Sequence, residues 1–184
     1  MAPNFQISRD SQALYITIVA KDRLLVFQSE AIKLITCRAL NEAREGGGFL
    51  LFAYVIMPNH LHLVTNCPNT SADVLRRVKG LTARRVIDYL KEQGYQTSLA
   101  KLRHEDWKRK HSYSLWQQEK NVLPIFSEAM FMQKVNYIHL NPVRAELVDR
   151  AVDYRWSSAR CWQRIPSDDE PLIVDFDRIE WRRA

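Results

Sequence analysis

The spacing of apolar residues changes several times along the chain, and each change marks an element. Leu14–Val19 (LYITIV) is β-branched and aromatic, which predicts a strand. From Ser29 to Glu45, Ile32, Leu34, Ile35 and Leu40 recur among polar residues at helical spacing, and Gly46, Gly47 and Gly48 stop the pattern. Phe49–Ile56 (FLLFAYVI) is a continuous apolar run of strand length, so it predicts a central, buried strand. Met57, Pro58 and Asn59 make a tight turn, and His60–Asn66 (HLHLVTN) returns as the second arm of a hairpin. Thr70 with Asp73 three positions on predicts a capped helix running to about Glu92 and ended by Gly94. Residues 96–115 are polar and basic and read as a long loop, and Trp116–Phe126 reads as one strand or two strand pieces. Ser127 caps a last helix that Pro142 closes after Asn141. The order β-α-β-β-α-β-α is that of an α+β ferredoxin-like sandwich, an antiparallel sheet with helices packed on it.

Composition narrows the class. The 184 residues suit one domain, and 46% apolar content excludes a disordered chain. Cys37, Cys67 and Cys161 are scattered with no CxxC pair, which excludes a disulfide framework and a cysteine-built zinc site and suits a reducing cytosol. No apolar run approaches the ~18 residues that span a bilayer, so no membrane partner is expected. The net charge is +6, and residues 76–111 alone hold eleven Lys/Arg against four Asp/Glu. A polyanion would be held there, by Arg76, Arg77, Lys79 and Arg84 on the helix, with Trp107 or Trp116 available to stack on unpaired bases. A solvated helix face followed by a charged loop accounts for the same residues.

Two constellations carry chemistry. On a strand, His60 and His62 point to one face while Leu61 and Leu63 point to the other. Two neighbouring imidazoles can each give a nitrogen to a divalent cation, although surface or hydrogen-bonded histidines are the commoner source of that spacing. On the last helix, Phe131, Met132, Val135 and Ile138 form the core stripe, and Lys134, Tyr137 and Asn141 share the opposite side. A tyrosine there is either an ordinary surface residue or a phenol displayed for attack, with Asn141 one turn away as an oxygen ligand. His139 lies nearer the core stripe and reads as structural.

The segments MPNHLHLV (57–64), VLRRVKGLTARRV (74–86), LWQ (115–117), NYIHLNPVRAELV (136–148) and YRWSSARCW (154–162) resemble the REP-associated tyrosine transposases. These are bacterial relatives of the insertion-sequence HUH single-strand transposases, and the match is collinear over about residues 10–165. The resemblance implies a ferredoxin-like catalytic domain of the HUH endonuclease type over residues 1–165, with 166–184 as a C-terminal tail. It implies Mg²⁺ or Mn²⁺ held by His60 and His62 with Asn141 as third ligand, and Tyr137 as the nucleophile. Lys134 is assigned to the phenolate or to a phosphate. The implied substrate is single-stranded DNA with hairpins, typically repetitive extragenic palindromes, cut and rejoined through a 5′-phosphotyrosine bond. The implied setting is the bacterial cytoplasm, near the nucleoid, and the implied state is a monomer. Two other classes fit the same residues: a domesticated DNA-binding protein that no longer cuts, and a metal-dependent hydrolase using water.

Overall fold

A computed structural model describes residues 4–104, 112–119 and 121–182. The elements are β1 (Ala13–Val19), α1 (Glu30–Gly47), β2 (Leu51–Met57), β3 (His60–Asn66), α2 (Ser71–Glu92), α3 (Gln96–Leu102), β4 (Asn121–Ile125), α4 (Glu128–Arg144) and the short α5 (Ala159–Trp162). The four strands form one sheet in the order β2-β3-β1-β4, with every neighbouring pair antiparallel. This is the α+β sandwich that the alternating pattern predicts. Among the described residues no helix is long and apolar enough to cross a membrane.

The pleat divides the sheet into two faces. Leu14, Ile16 and Ile18 of β1 stand beside Thr65, Leu63 and Leu61 of β3, and all six are buried. This face receives α1 and α2, which pack on each other, with α2 against β1. Tyr15, Thr17 and Val19 stand beside Val64, His62 and His60 on the other face, which is covered by α4. A register irregularity between Leu51 and Ala53 turns Phe52 toward α4, where its ring meets Phe131 edge-on at 5.6 Å. One extra residue in β2 thus supplies the aromatic contact that seats the helix.

Both open edges of the sheet are managed. Residues 154–162, part of the motif set quoted above, run along the free side of β2. Ile56 N–H donates to Trp156 O, Ser158 N–H to Tyr54 O, Tyr154 Oη to Ile56 O and Trp162 Nε1 to Phe52 O, at 2.7–3.0 Å. On the far side, β4 is short and carries Pro124, a residue tolerated only at an edge. The segment after 165 returns over the same core. Leu172 and Ile179 are buried, and the Asp175 carboxylate accepts from Arg44 Nε and Nη2 and from Leu51 N–H at 2.6–2.9 Å.

Several boundaries differ from the sequence pattern for local reasons. Helix α1 passes through Gly46 and Gly47 and stops only at Gly48, which takes φ 62. A Cβ at Gly47 would meet the Phe49 ring at 2.8 Å and Arg77 Cδ at 2.9 Å, so that glycine makes room for α2's arginine. Helix α4 carries Pro142 inside its last turn and ends two residues later, with Glu146 in the left-handed conformation (φ 56). The stretch read as loop contains α3, because Leu99 and Leu102 bury themselves under an otherwise polar turn. Thr70 caps α2 as expected, its hydroxyl accepting from Asp73 N–H at 3.1 Å.

The glycines separate two backbone effects. Gly80, mid-helix with nothing within 4 Å of an added methyl, should accept alanine and gain about 0.5–1 kcal/mol. Gly48→Ala should lose about 1 kcal/mol, because an L side chain resists its positive φ. Urea denaturation of both variants measures the opposite signs.

Candidate active site

The site grows from the strand pair β1–β3. Alternation puts His60 and His62 on the α4 face, and their rings lie edge to face with centroids 4.8 Å apart. His62 sits opposite Thr17 in mid-sheet, and only 4% of it is exposed. Its Nδ1 lies 2.9 Å from Thr17 Oγ1 and 2.9 Å from Tyr15 Oη. His60 Nδ1 lies 2.6 Å from Asn59 Oδ1. An amide oxygen only accepts, so His60 carries its proton on Nδ1 and a lone pair on Nε2. The β1 hydroxyls can hold His62 in the same tautomer, with Nδ1–H donating to one of them.

Both imidazoles are poor bases here. Burial pushes His62 down to about 3, and the neighbouring His60 adds to the effect. Burial also lowers His60, helped by the positive charge of Arg23. Each therefore offers a neutral ring rather than an imidazolium. Among the described residues no hydrogen bond takes up either Nε2, and no cluster of three His, Cys, Asp or Glu surrounds them. Tyr15 remains a phenol, since burial raises it against the opposing hydrogen bond from Thr17, and Tyr137 raises it further.

Helix α4 brings the tyrosine. Its buried stripe of Phe131, Val135, Ile138, His139 and Pro142 faces the sheet, which leaves Tyr137 beside the strand histidines and 41% exposed. The Tyr137 ring meets His62 at 5.7 Å and Tyr15 at 6.2 Å, both edge-on. The Arg144 guanidinium lies 5.1 Å from the centre of the Tyr137 ring. Lys134 Nζ sits 5.0 Å from the centre of the Tyr15 ring, at the margin of the same cluster. Asn141 is half-buried one turn beyond Tyr137, and its side chain makes no hydrogen bond among the described residues. Two strand histidines, a phenol and two cations therefore converge on one face. His139 takes no part, since it is buried with Nε2 2.9 Å from Ser158 Oγ and burial pushes it down to about 4.

The basic helix lies elsewhere. Arg76, Arg77, Lys79 and Arg84 ride on α2, in the layer on the opposite face of the sheet from the histidines. Their position in the chain between His62 and Tyr137 does not bring them to that pair. Arg77 lies against Gly46 and Gly47 of α1, and Lys79 Nζ donates to Gln117 O at 2.5 Å. Arg76 and Arg84 are exposed, with surface pairings to Asp73 and Asp88. Trp116 is not a stacking platform, and the expectation for it is corrected. It is 4% exposed, stacked on Phe27 at 5.2 Å, and its Nε1 donates to Thr82 Oγ1 at 3.0 Å. The core took an aromatic that the surrounding polar sequence made look available. Trp107 and the basic residues 108–110 lie outside the described residues.

Tyr15, Thr17, Asn59, Arg23 and Arg144 belong to the site and were not singled out from the sequence. The strand alternation that aligned the histidines also puts Tyr15 and Thr17 on one face of β1, and Arg144 repeats the spacing of Tyr137 at i+7.

Residues 9–139 match the sequence profile of the IS200-like transposases. The chain belongs to the IS200-like transposase family. Among solved structures, it is similar to a REP-associated tyrosine transposase bound to a REP hairpin. The TM-score is 0.60 at 16% identity, over 92% of this chain and 89% of that one. It is also similar to a candidate transposase from Deinococcus radiodurans R1, with TM-score 0.49 and 22% identity over 70% of this chain and 88% of that one. A search of functionally curated proteins finds no match.

The depressed histidines predict an acid-labile fold. As pH falls from about 6.5 toward 4, the unfolded chain binds protons at positions 62 and 139 that the folded chain refuses, so stability falls. Each refused proton contributes a slope of about 1.4 kcal/mol per pH unit. Denaturation across that range should show the decline, and His139→Gln should make it shallower.

Proposed function

We propose that this chain is a metal-dependent single-strand DNA transposase that cuts and rejoins hairpin-bearing, REP-like palindromic DNA through a 5′-phosphotyrosine intermediate. The observation that carries the reading is the edge contact of Tyr137 on His62, beside a His60–His62 pair held neutral and anchored through Nδ1. Family membership supports DNA cutting and joining as the activity. The hairpin comes from the fold neighbour, a transposase bound to a REP hairpin.

The residues fit a divalent cation. His60 and His62 would hold it through Nε2, with Asn141 as third ligand, and the two nitrogen donors favour Mn²⁺ over the oxygen-seeking Mg²⁺. A cation bound there supplies charge withdrawal from a non-bridging phosphate oxygen. The chain's own residues do the rest. Tyr137 Oη attacks phosphorus, the bond to the 3′-oxygen breaks, and the products are a free 3′-OH and a 5′-phosphate ester on Tyr137. The phenol proton is lost and the leaving oxygen gains one, so the step is proton-neutral. Arg144, over the ring, puts a positive charge beside the oxygens on which negative charge develops. Rejoining is the reverse attack by a 3′-OH. Lys134 contacts a phosphate beside Tyr15. Arg76 and Arg84, on the other layer, hold the hairpin stem by its backbone at a distance from the cut. The catalytic domain of residues 1–165 is completed by the segment after 165, whose Leu172, Asp175 and Ile179 pack on the same core.

A labelled hairpin oligonucleotide incubated with Mn²⁺ should give a covalent adduct with wild-type protein and none with Tyr137→Phe, which also stops cutting. Cutting retained by Tyr137→Phe would favour a water-using hydrolase, and wild type that binds without cutting would favour a domesticated binder. A second expectation concerns the β1 hydroxyls. The Tyr15→Phe, Thr17→Val double variant leaves His62 Nδ1–H without an acceptor, so calorimetric titration should show Mn²⁺ affinity down by about 10–100-fold.

A further inference from the structure

Along the face that carries the histidines, the reactive groups follow one another in a fixed order. Tyr137 stands over Tyr15 and His62, toward the middle of β1 and β3. His60 comes next, at the start of β3 and opposite Val19. Beyond it, the segment after β1 is fastened to the turn that presents His60, because Ala20 N–H donates to Asn59 O and Phe27 N–H to Pro58 O, both at 2.9 Å. Arg23 sits on that segment, its backbone N–H donating to Ala20 O at 3.0 Å. Its positive charge reaches His60, where it helps burial lower the basicity of the ring. The two histidines therefore lie between Tyr137 and Arg23.

The chain holds Arg23 there against a backbone preference. Asp22 and Arg23 adopt φ 51 and 54, a conformation that non-glycine residues avoid unless the surroundings impose it. The adjacent acid does not neutralise Arg23, because the Asp22 carboxylate accepts from Lys21 Nζ at 2.8 Å. The Arg23 side chain is exposed and makes no hydrogen bond or ion pair among the described residues. In a phosphoryl transfer the attacking and leaving oxygens are roughly in line, on opposite sides of phosphorus. With Tyr137 at one end of the histidine pair, the strand that ends in the 3′-oxygen departs toward the other end. Arg23 waits at that end, whereas Lys134 lies over Tyr15 at the first.

We propose that Arg23 is a positioning residue for rejoining, which grips a phosphate of the departing strand and keeps its new 3′-OH beside the phosphotyrosine. The inference rests on the covalent reading above and adds the group that retains the cut strand. The step it serves is balanced. The 3′-OH attacks phosphorus and gives up its proton, the bond from phosphorus to Tyr137 Oη breaks, and the phenol regains a proton. A guanidinium suits the task, since it stays charged throughout and meets phosphate with two parallel N–H groups.

The test uses an oligonucleotide with its hairpin 3′ to the cut, so that the strand released with the 3′-OH carries no hairpin. That strand is labelled, and the protein is supplied with Mn²⁺. Fluorescence anisotropy follows departure of the labelled strand from the covalent complex, and denaturing gels give the ratio of rejoined DNA to adduct. Arg23→Gln should still form adduct, release the labelled strand about tenfold faster and leave more adduct unrejoined. Arg23→Lys keeps the charge and should restore part of the retention, and Lys134→Gln should not hasten the release. Release from Arg23→Gln at the wild-type rate, or loss of its adduct altogether, would overturn the assignment of Arg23 alone. Wild type that forms no adduct would overturn both the assignment and the reading beneath it.

Discussion

A buried imidazole is tolerated only when it is uncharged and its N–H has a partner. His62 meets that condition through β1, where Thr17 and Tyr15 present their hydroxyls to Nδ1. The remainder of the site follows from this arrangement. The β1–β3 register that sets Thr17 opposite His62 also sets Val19 opposite His60, so both histidines reach one face together. A slip of one residue would put Leu61 and Leu63 on that face and carry the imidazoles into the apolar layer under α1 and α2. The same register that makes the core thus makes the site, and neither can be lost alone.

The second face of the sheet is given to stability. Helices α1 and α2 cover it with a continuous apolar layer, and the edge strap of residues 154–162 shields β2 from further pairing. His139 works in this framework rather than in the chemistry, since its bond to Ser158 ties α4 to the strap that lies along β2. Phe52 and Phe131 seat the same helix from below. Tyr137 is therefore carried on a helix held at two points, which suits the attacking role proposed for it. The basic surface of α2 is on the outer layer, so any hold on nucleic acid there is a hold at a distance from the reacting atoms.

The fold and the heart of the site were legible because both rest on short periods. Alternation in HLHLVTN placed His60 and His62 on one side, and the helical stripe of Phe131, Val135 and Ile138 left Tyr137 off the core. What was not legible depends on partners distant in the chain. The hydroxyl support of His62 is a cross-strand contact over 45 and 47 positions, which no local pattern announces. Trp116 sits in a polar stretch, yet it is buried because Phe27 and Thr82 come to it from elsewhere. The basic run lies between His62 and Tyr137 in sequence, but order along the chain says nothing of which layer a helix joins. Gly47 read as a helix stop, whereas its role is the clearance it leaves for Arg77.

The central claim is that His60 and His62 present two neutral Nε2 atoms to one divalent cation on the face that carries Tyr137. Anomalous diffraction from crystals soaked in Mn²⁺ tests it most directly. The account predicts one strong peak in contact with both Nε2 atoms, on the Tyr137 side of the sheet. A peak on Nδ1, a peak at another site only, or no peak at saturating Mn²⁺ would contradict it.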